Sequence, residues 1–192
     1  YTTSVDSLAR EKRKAAEKTM LRMQELRAEA NVTQHKIIKY VRKMPRHNLP
    51  ASRLYILMFD HMQDLYQSTL LISESCTEHL KNYHTTPSKK FLQKLQEIEK
   101  GLTDYTALVC EDIGSSSFIH AEALSSLQQK LINSINQTID EQIIALQKDS
   151  IGNRIGLLQV RILLESKDIA TTLEQLYTLY REYNNKDEST LT

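Results

Sequence analysis

The sequence is short of the residues that make turns. Its 192 residues include 4 Gly and 3 Pro, against a usual combined share of roughly 12%. Sandwiches, barrels and doubly wound α/β domains need turn residues at roughly every tenth position, so those classes are excluded. Trp is absent. Two cysteines, Cys76 and Cys110, cannot staple a small fold and read as reduced core thiols. No uncharged apolar run approaches the roughly 18 residues that span a bilayer. The best stretch, Leu65 to Ser73, is closed by Glu74. No signal-peptide pattern is visible. A chain that starts at Tyr1 rather than Met reads as a fragment or a processed product.

What is present fits a soluble helical bundle. Hydrophobic residues make up 40% and charged residues 26%, enough for a core and too apolar for disorder. The net charge of +1 hides a split. Residues 1–45 hold 11 Lys/Arg and 5 Asp/Glu, and the remainder holds 14 and 19. Arg10, Lys12, Arg13, Lys14, Lys18, Arg22 and Arg27 carry the basic half. They suit either a solvated helix face or a juxtamembrane segment that follows the positive-inside bias. Nucleic acid is disfavoured as a partner, because aromatics are not interleaved and the whole chain is not basic.

Periodicity gives an all-α fold: an elongated, antiparallel up-down bundle of about five long helices, in one domain. The first helix is expected from about Val5 to Met44, faltering near Asn31-Val32-Thr33. Pro45 and Pro50 punctuate the connection that follows. The second helix extends to about Tyr83, with a seam of Met58, Met62, Leu65, Thr69, Ile72, Cys76 and Tyr83. Thr86-Pro87 reads as a cap followed by Pro at the first helical position. The third helix carries Phe91, Leu95, Ile98, Leu102, Tyr105 and Val109, spaced 4, 3, 4, 3, 4, the most regular pattern in the chain. Gly114 to Ser117 ends it. The fourth helix presents Leu124, Leu127, Leu131, Ile135, Ile139, Ile143 and Leu146. A turn at Asp149-Ser150 and Gly152-Asn153 leads to the last helix. That helix repeats Ile155, Ile162, Ile169, Leu176 and Tyr183, with Tyr177, Tyr180 and Tyr183 on its apolar side. Residues 186–192 read as a disordered tail.

Enzyme signatures are missing. Gly101, Gly114, Gly152 and Gly156 are scattered and form no phosphate loop. No Glu stands three residues before any His, so the di-iron bundle pattern is absent. Gly152 and Gly156 match GxxxG only formally, in a polar turn. One constellation has metal-ligand chemistry. Asp60 and Asp64 lie one helical turn apart on one face, with His61 between them. They read as a solvated acidic face or as half of a surface metal site. The last helix would supply the other half, Glu165 and Asp168. Glu165 interrupts an otherwise apolar seam, which is costly unless it is paired. His79 and His84 flank Tyr83 and read as surface or end-of-helix residues.

These residues resemble a known family. The segment from Asp64 to Ser88, with Glu78-His79-Leu80-Lys81-Asn82-Tyr83-His84, is similar to the second helix and following loop of PhoU-like domains. Residues 152–169, from Gly152-Asn153-Arg154-Ile155-Gly156 through Leu164-Glu165-Ser166-Lys167-Asp168-Ile169, resemble the final helix of that family more closely. The resemblance spans most of residues 5–185. It implies a PhoU-like bundle attached to a bacterial sodium/phosphate cotransporter, at the cytoplasmic face of the inner membrane. Residues 1–45 would then be membrane-proximal and 46–185 the bundle, with the transporter domain upstream in the same chain. PhoU proteins carry acidic Asp/Glu-x-x-x-Asp motifs that bind metal clusters. Asp60 and Asp64 match one copy. In the second copy Asp168 fits, but Leu164 stands at the acidic partner position.

Three functions follow as expectations. The first is a non-enzymatic regulatory or interaction domain of a sodium-dependent phosphate transporter, with no cofactor and with self-association left open. The second is a bundle binding iron, zinc or magnesium at Asp60, His61, Asp64, Glu165 and Asp168. The third is a generic coiled-coil scaffold.

Overall fold

The computed structural model describes residues 1–82 and 86–189 and is all-helical, with no strand among the described residues. Six α-helices follow one another: α1 Thr2–Ala9, α2 Arg13–Val41, α3 Leu49–Lys81, α4 Lys89–Ser115, α5 Ala121–Gln147 and α6 Asn153–Ser189. A 3-10 turn, Arg46–Asn48, joins α2 to α3. None of the helices is long and apolar enough to cross a membrane. The 37 residues of α6 give an axis of about 55 Å at 1.5 Å per residue.

The six helices differ from the five expected because the first one breaks early. The chain turns at Arg10 to Lys12, and α2 then runs unbroken through Asn31, Val32 and Thr33. The stop is a Schellman cap. Lys12 N–H donates to Ser7 C=O at 2.8 Å, Glu11 N–H donates to Leu8 C=O, and Glu11 takes φ 53°. Asp149 does the same after α5, with φ 50° and Ser150 N–H bonded to Ala145 C=O at 3.0 Å. Ser116 and Phe118 are the other left-handed residues among those described, and no glycine has positive φ. Gly114, expected in a turn, lies inside α4. Tertiary packing therefore holds non-glycine residues where glycine usually sits. Asp149→Gly is expected to stabilise the protein by about 1 kcal/mol by removing the left-handed penalty, read as a raised urea midpoint. An unchanged or lowered midpoint would show that the turn carries no strain.

The core lies between α3, α4, α5 and α6. The stripe Phe91, Leu95, Ile98, Leu102, Tyr105 and Val109 is buried in full, as its spacing predicts. The side-chain cap of α4 is Ser88, whose Oγ accepts from Phe91 N–H at 3.2 Å, two residues after the expected Thr86. On α6 the buried side is Leu158, Ile162, Leu163, Ser166, Ile169, Ala170, Leu173 and Tyr177. Cys76 is in the core, where burial pushes its thiol up to about 12. Cys110 is exposed, so only one of the two cysteines is a core thiol. Met62, placed in the seam of this helix, is exposed, and His79, expected at the surface or the helix end, is buried. Tyr83 and His84 lie outside the described residues. Of the tail expected from residue 186, residues 186–189 lie within α6, and residues 190–192 lie outside the described residues.

Not every sequential pair of helices is adjacent. Helix α6 packs on α3, α4 and α5, but α3 and α4 are not direct neighbours. The wedge between them is α1, which touches α2, α3 and α4. Its Val5 and Leu8 belong to the common core, and Ser4 and Ser7 are buried beside them. Ser4 Oγ pairs with Ser73 Oγ at 2.9 Å, and Tyr1 Oη pairs with Ser166 Oγ at 2.9 Å. Among the described residues helix α2 rests on α3 and α1 alone, with only Ala16 and Met23 of its own side chains buried.

Candidate functional site

A large concavity follows from that asymmetry. Among the described residues α2 and α6 do not touch, so a trough stays open between them with α3 as its floor. On the α6 side it is a cavity of about 800 Å³ lined by Ser75, Glu78, Arg154, Leu157, Arg161 and Leu164, among others. On the α2 side a second hollow of about 760 Å³ is lined by Met20, Leu21, Glu74, Thr77, Glu78 and Lys81, among others. Glu78 and Asn82 line both.

The walls carry apolar side chains left in solvent. Leu21 is 62% exposed, Leu157 67% and Leu164 46%. Leu157 and Leu164 stand two turns apart on one side of α6, as a helical partner would require. The floor carries two orphaned hydroxyls. Ser75 Oγ and Thr77 Oγ1 are buried without a hydrogen-bond partner among the described residues. A buried hydroxyl without a partner is costly, and it marks a place where another group completes the bond.

The expected metal ligands are not gathered here. Asp60 and Asp64 are exposed on α3, while His61 turns inward with Nδ1 buried and unbonded. Glu165 lines the α6 side of the trough opposite Ser75 to Asn82, and Asp168 is exposed one turn further on. Asp64 precedes Ser75 by about three helical turns, so the two halves sit at different levels. Among the described residues no three His, Cys, Asp or Glu side chains are disposed to hold a metal ion. Nor does Glu165 interrupt the core seam of α6. The buried position is taken by Ser166, whose hydroxyl donates to Ile162 C=O at 2.6 Å.

A buried carboxylate does exist, at Asp112 near the end of α4. It is fully buried and accepts three hydrogen bonds. They come from His120 N–H at 3.2 Å, His120 Nδ1 at 2.7 Å and Tyr177 Oη at 2.8 Å. A carboxylate only accepts, so His120 carries its proton on Nδ1. Burial works against the charge, but the hydrogen bonds from His120 and Tyr177 outweigh it and hold Asp112 below the usual carboxylate range. Tyr177 is pushed up to about 12, first by burial and then by its bond to this carboxylate. The group ties α4, the start of α5 and α6 together. Phe118 packs its ring 5.9 Å from Tyr177 and 6.0 Å from Tyr180. The cluster was legible in principle, since Asp112 continues the spacing of the α4 stripe three residues past Val109.

Compared with known proteins, the chain matches no family model, no curated protein sequence and no solved structure.

Proposed function

We propose that this chain is a non-enzymatic regulatory and interaction domain of a sodium-dependent phosphate transporter, acting at the cytoplasmic face of a bacterial inner membrane. The transporter part would precede it in the same chain. The observation that carries the interaction reading is the open trough between α2 and α6. It has exposed leucines on its walls and partnerless hydroxyls on its floor. Such a trough suits an amphipathic helix laid across α3. Leu157 and Leu164 would anchor its apolar side, and Ser75 and Thr77 would take its polar contacts. The transporter part of the reading rests on the PhoU-like pattern of residues 64–88 and 152–169.

The test uses the full-length gene, with and without residues 1–192, and measures sodium-dependent phosphate uptake and its response to phosphate supply. A third version carries Leu157→Asp and Leu164→Asp. Both side chains are exposed, so the fold is expected to survive and the response to be lost. Uptake and response unchanged in the deletion would sink the transporter reading. A normal response in the double variant would sink the trough as its contact surface.

A further inference from the structure

The tip of the α2–α3 hairpin has a composition found nowhere else in the chain. From Ala30 to Phe59 there is no Asp or Glu, while Lys36, Lys39, Arg42, Lys43, Arg46 and Arg53 all fall in this span. All six are exposed, and none forms a salt bridge among the described residues. Lys36 and Lys39 share one side of α2, and Lys43 follows two residues past its end. Further up the same helix the pattern changes, because Arg13 pairs with Glu17 and Arg22 pairs with Glu25. The tip is therefore a concentrated, uncompensated positive end.

Large apolar side chains stand among these cations. Leu49 is 70% exposed, and Ile38, Tyr40, Tyr55 and Ile56 are also exposed. Solvent-facing aliphatics and tyrosines mixed with lysines and arginines match the chemistry of a membrane interface. There, anionic headgroups take the cations while the aliphatics enter the headgroup–acyl boundary. A nucleic acid would satisfy the cations but leave Leu49 and Ile56 in water. The tyrosine rings are already committed to each other, edge to face with centroids 5.3 Å apart, rather than standing free to stack on bases.

We infer that the α2–α3 tip docks on an anionic lipid surface, with Lys36, Lys39, Arg42 and Lys43 meeting the headgroups and Leu49 and Ile56 entering the interface. The surface is carried by its own charge and exposure and does not depend on the transporter reading.

The test is flotation of the 192-residue chain with phosphatidylcholine vesicles, with and without about one-third phosphatidylserine, at low and high salt. Binding is expected only with phosphatidylserine and is expected to weaken with salt. The variant Lys36→Gln, Lys39→Gln, Arg42→Gln, Lys43→Gln should bind at least about ten-fold more weakly, and Leu49→Ser with Ile56→Ser several-fold more weakly. Far-UV circular dichroism confirms that each variant is folded. If the quadruple variant fails to fold, the serine pair and the salt series decide. Three results would overturn the inference: no flotation with anionic vesicles, equal flotation with phosphatidylcholine alone, or flotation unchanged in the folded variants. Stripping of the protein from vesicles by a single-stranded oligonucleotide at equal phosphate would assign the tip to nucleic acid instead.

Discussion

Asp112→Ala is expected to destabilise the protein by about 3 kcal/mol, because three donors lose their shared acceptor inside the core. For a chain of this size that is a fall in Tm of about 6–12 °C. Asp112→Asn keeps the shape but turns one acceptor into a donor facing His120 or Tyr177, and should cost about 2 kcal/mol. The pH dependence separates charge from shape. The native carboxylate is held below its ordinary value, so its contribution is fully present above the unfolded-state pKa of about 3.9. It is lost as pH falls through the lower native value. The gap between wild type and Asp112→Asn should be constant from neutral pH to about 5 and should close below that. Urea midpoints from pH 7 to pH 2 measure this. A gap independent of pH over the whole range would show that the charge contributes nothing.

Leu8→Ala is expected to cost about 3 kcal/mol, within the range for deleting a fully buried leucine side chain. An eight-residue helix is too short to be stable alone, so α1 exists only because Val5 and Leu8 are in the common core. Emptying the Leu8 position removes the contact that holds α3 and α4 apart at a fixed spacing. The urea midpoint should fall without a change in slope if the rest of the bundle keeps its compactness. Ser7→Ala, on the same helix, loses only a hydroxyl that donates to Thr3 C=O at 2.6 Å. It should cost about 1 kcal/mol. Equal losses for the two would show that α1 is held by hydrogen bonds rather than by packing.

The helical class and the five long helices, α2 to α6, were readable because a 3.6-residue repeat survives single exceptions. The α4 stripe is the clearest case, since every one of its six apolar positions is buried. The break after Ala9 was not readable. Its stop signal is a left-handed Glu11, a residue with no turn preference of its own. The conformation is imposed by α1 wedging between α3 and α4. Asn31-Val32-Thr33 has weak helix propensity, yet α2 continues through it, because propensity differences of a few tenths of a kcal/mol per residue are easily overridden.

The site is subject to the same limit. A carboxylate in a seam must be paired, yet Glu165 lies at the lip of the trough and the seam carboxylate is Asp112. The partners that settle the matter, His120 and Tyr177, are 8 and 65 positions away, and one-dimensional spacing does not bring them together. The trough could not be anticipated either. It depends on α2 and α6 failing to meet, which is a property of how α1 directs the chain.

Helix α2 covers one neighbour over most of its length, and this sets where the molecule opens first. Amide protons on α6, buried against three helices, can exchange only when the whole domain unfolds. Those on α2 beyond Met23 have α3 as their one neighbour among the described residues, so they are expected to exchange through a local event that leaves the other helices folded. The protein is thus expected to behave as two cooperative units of unequal strength, a rigid block and an arm that detaches before the block unfolds.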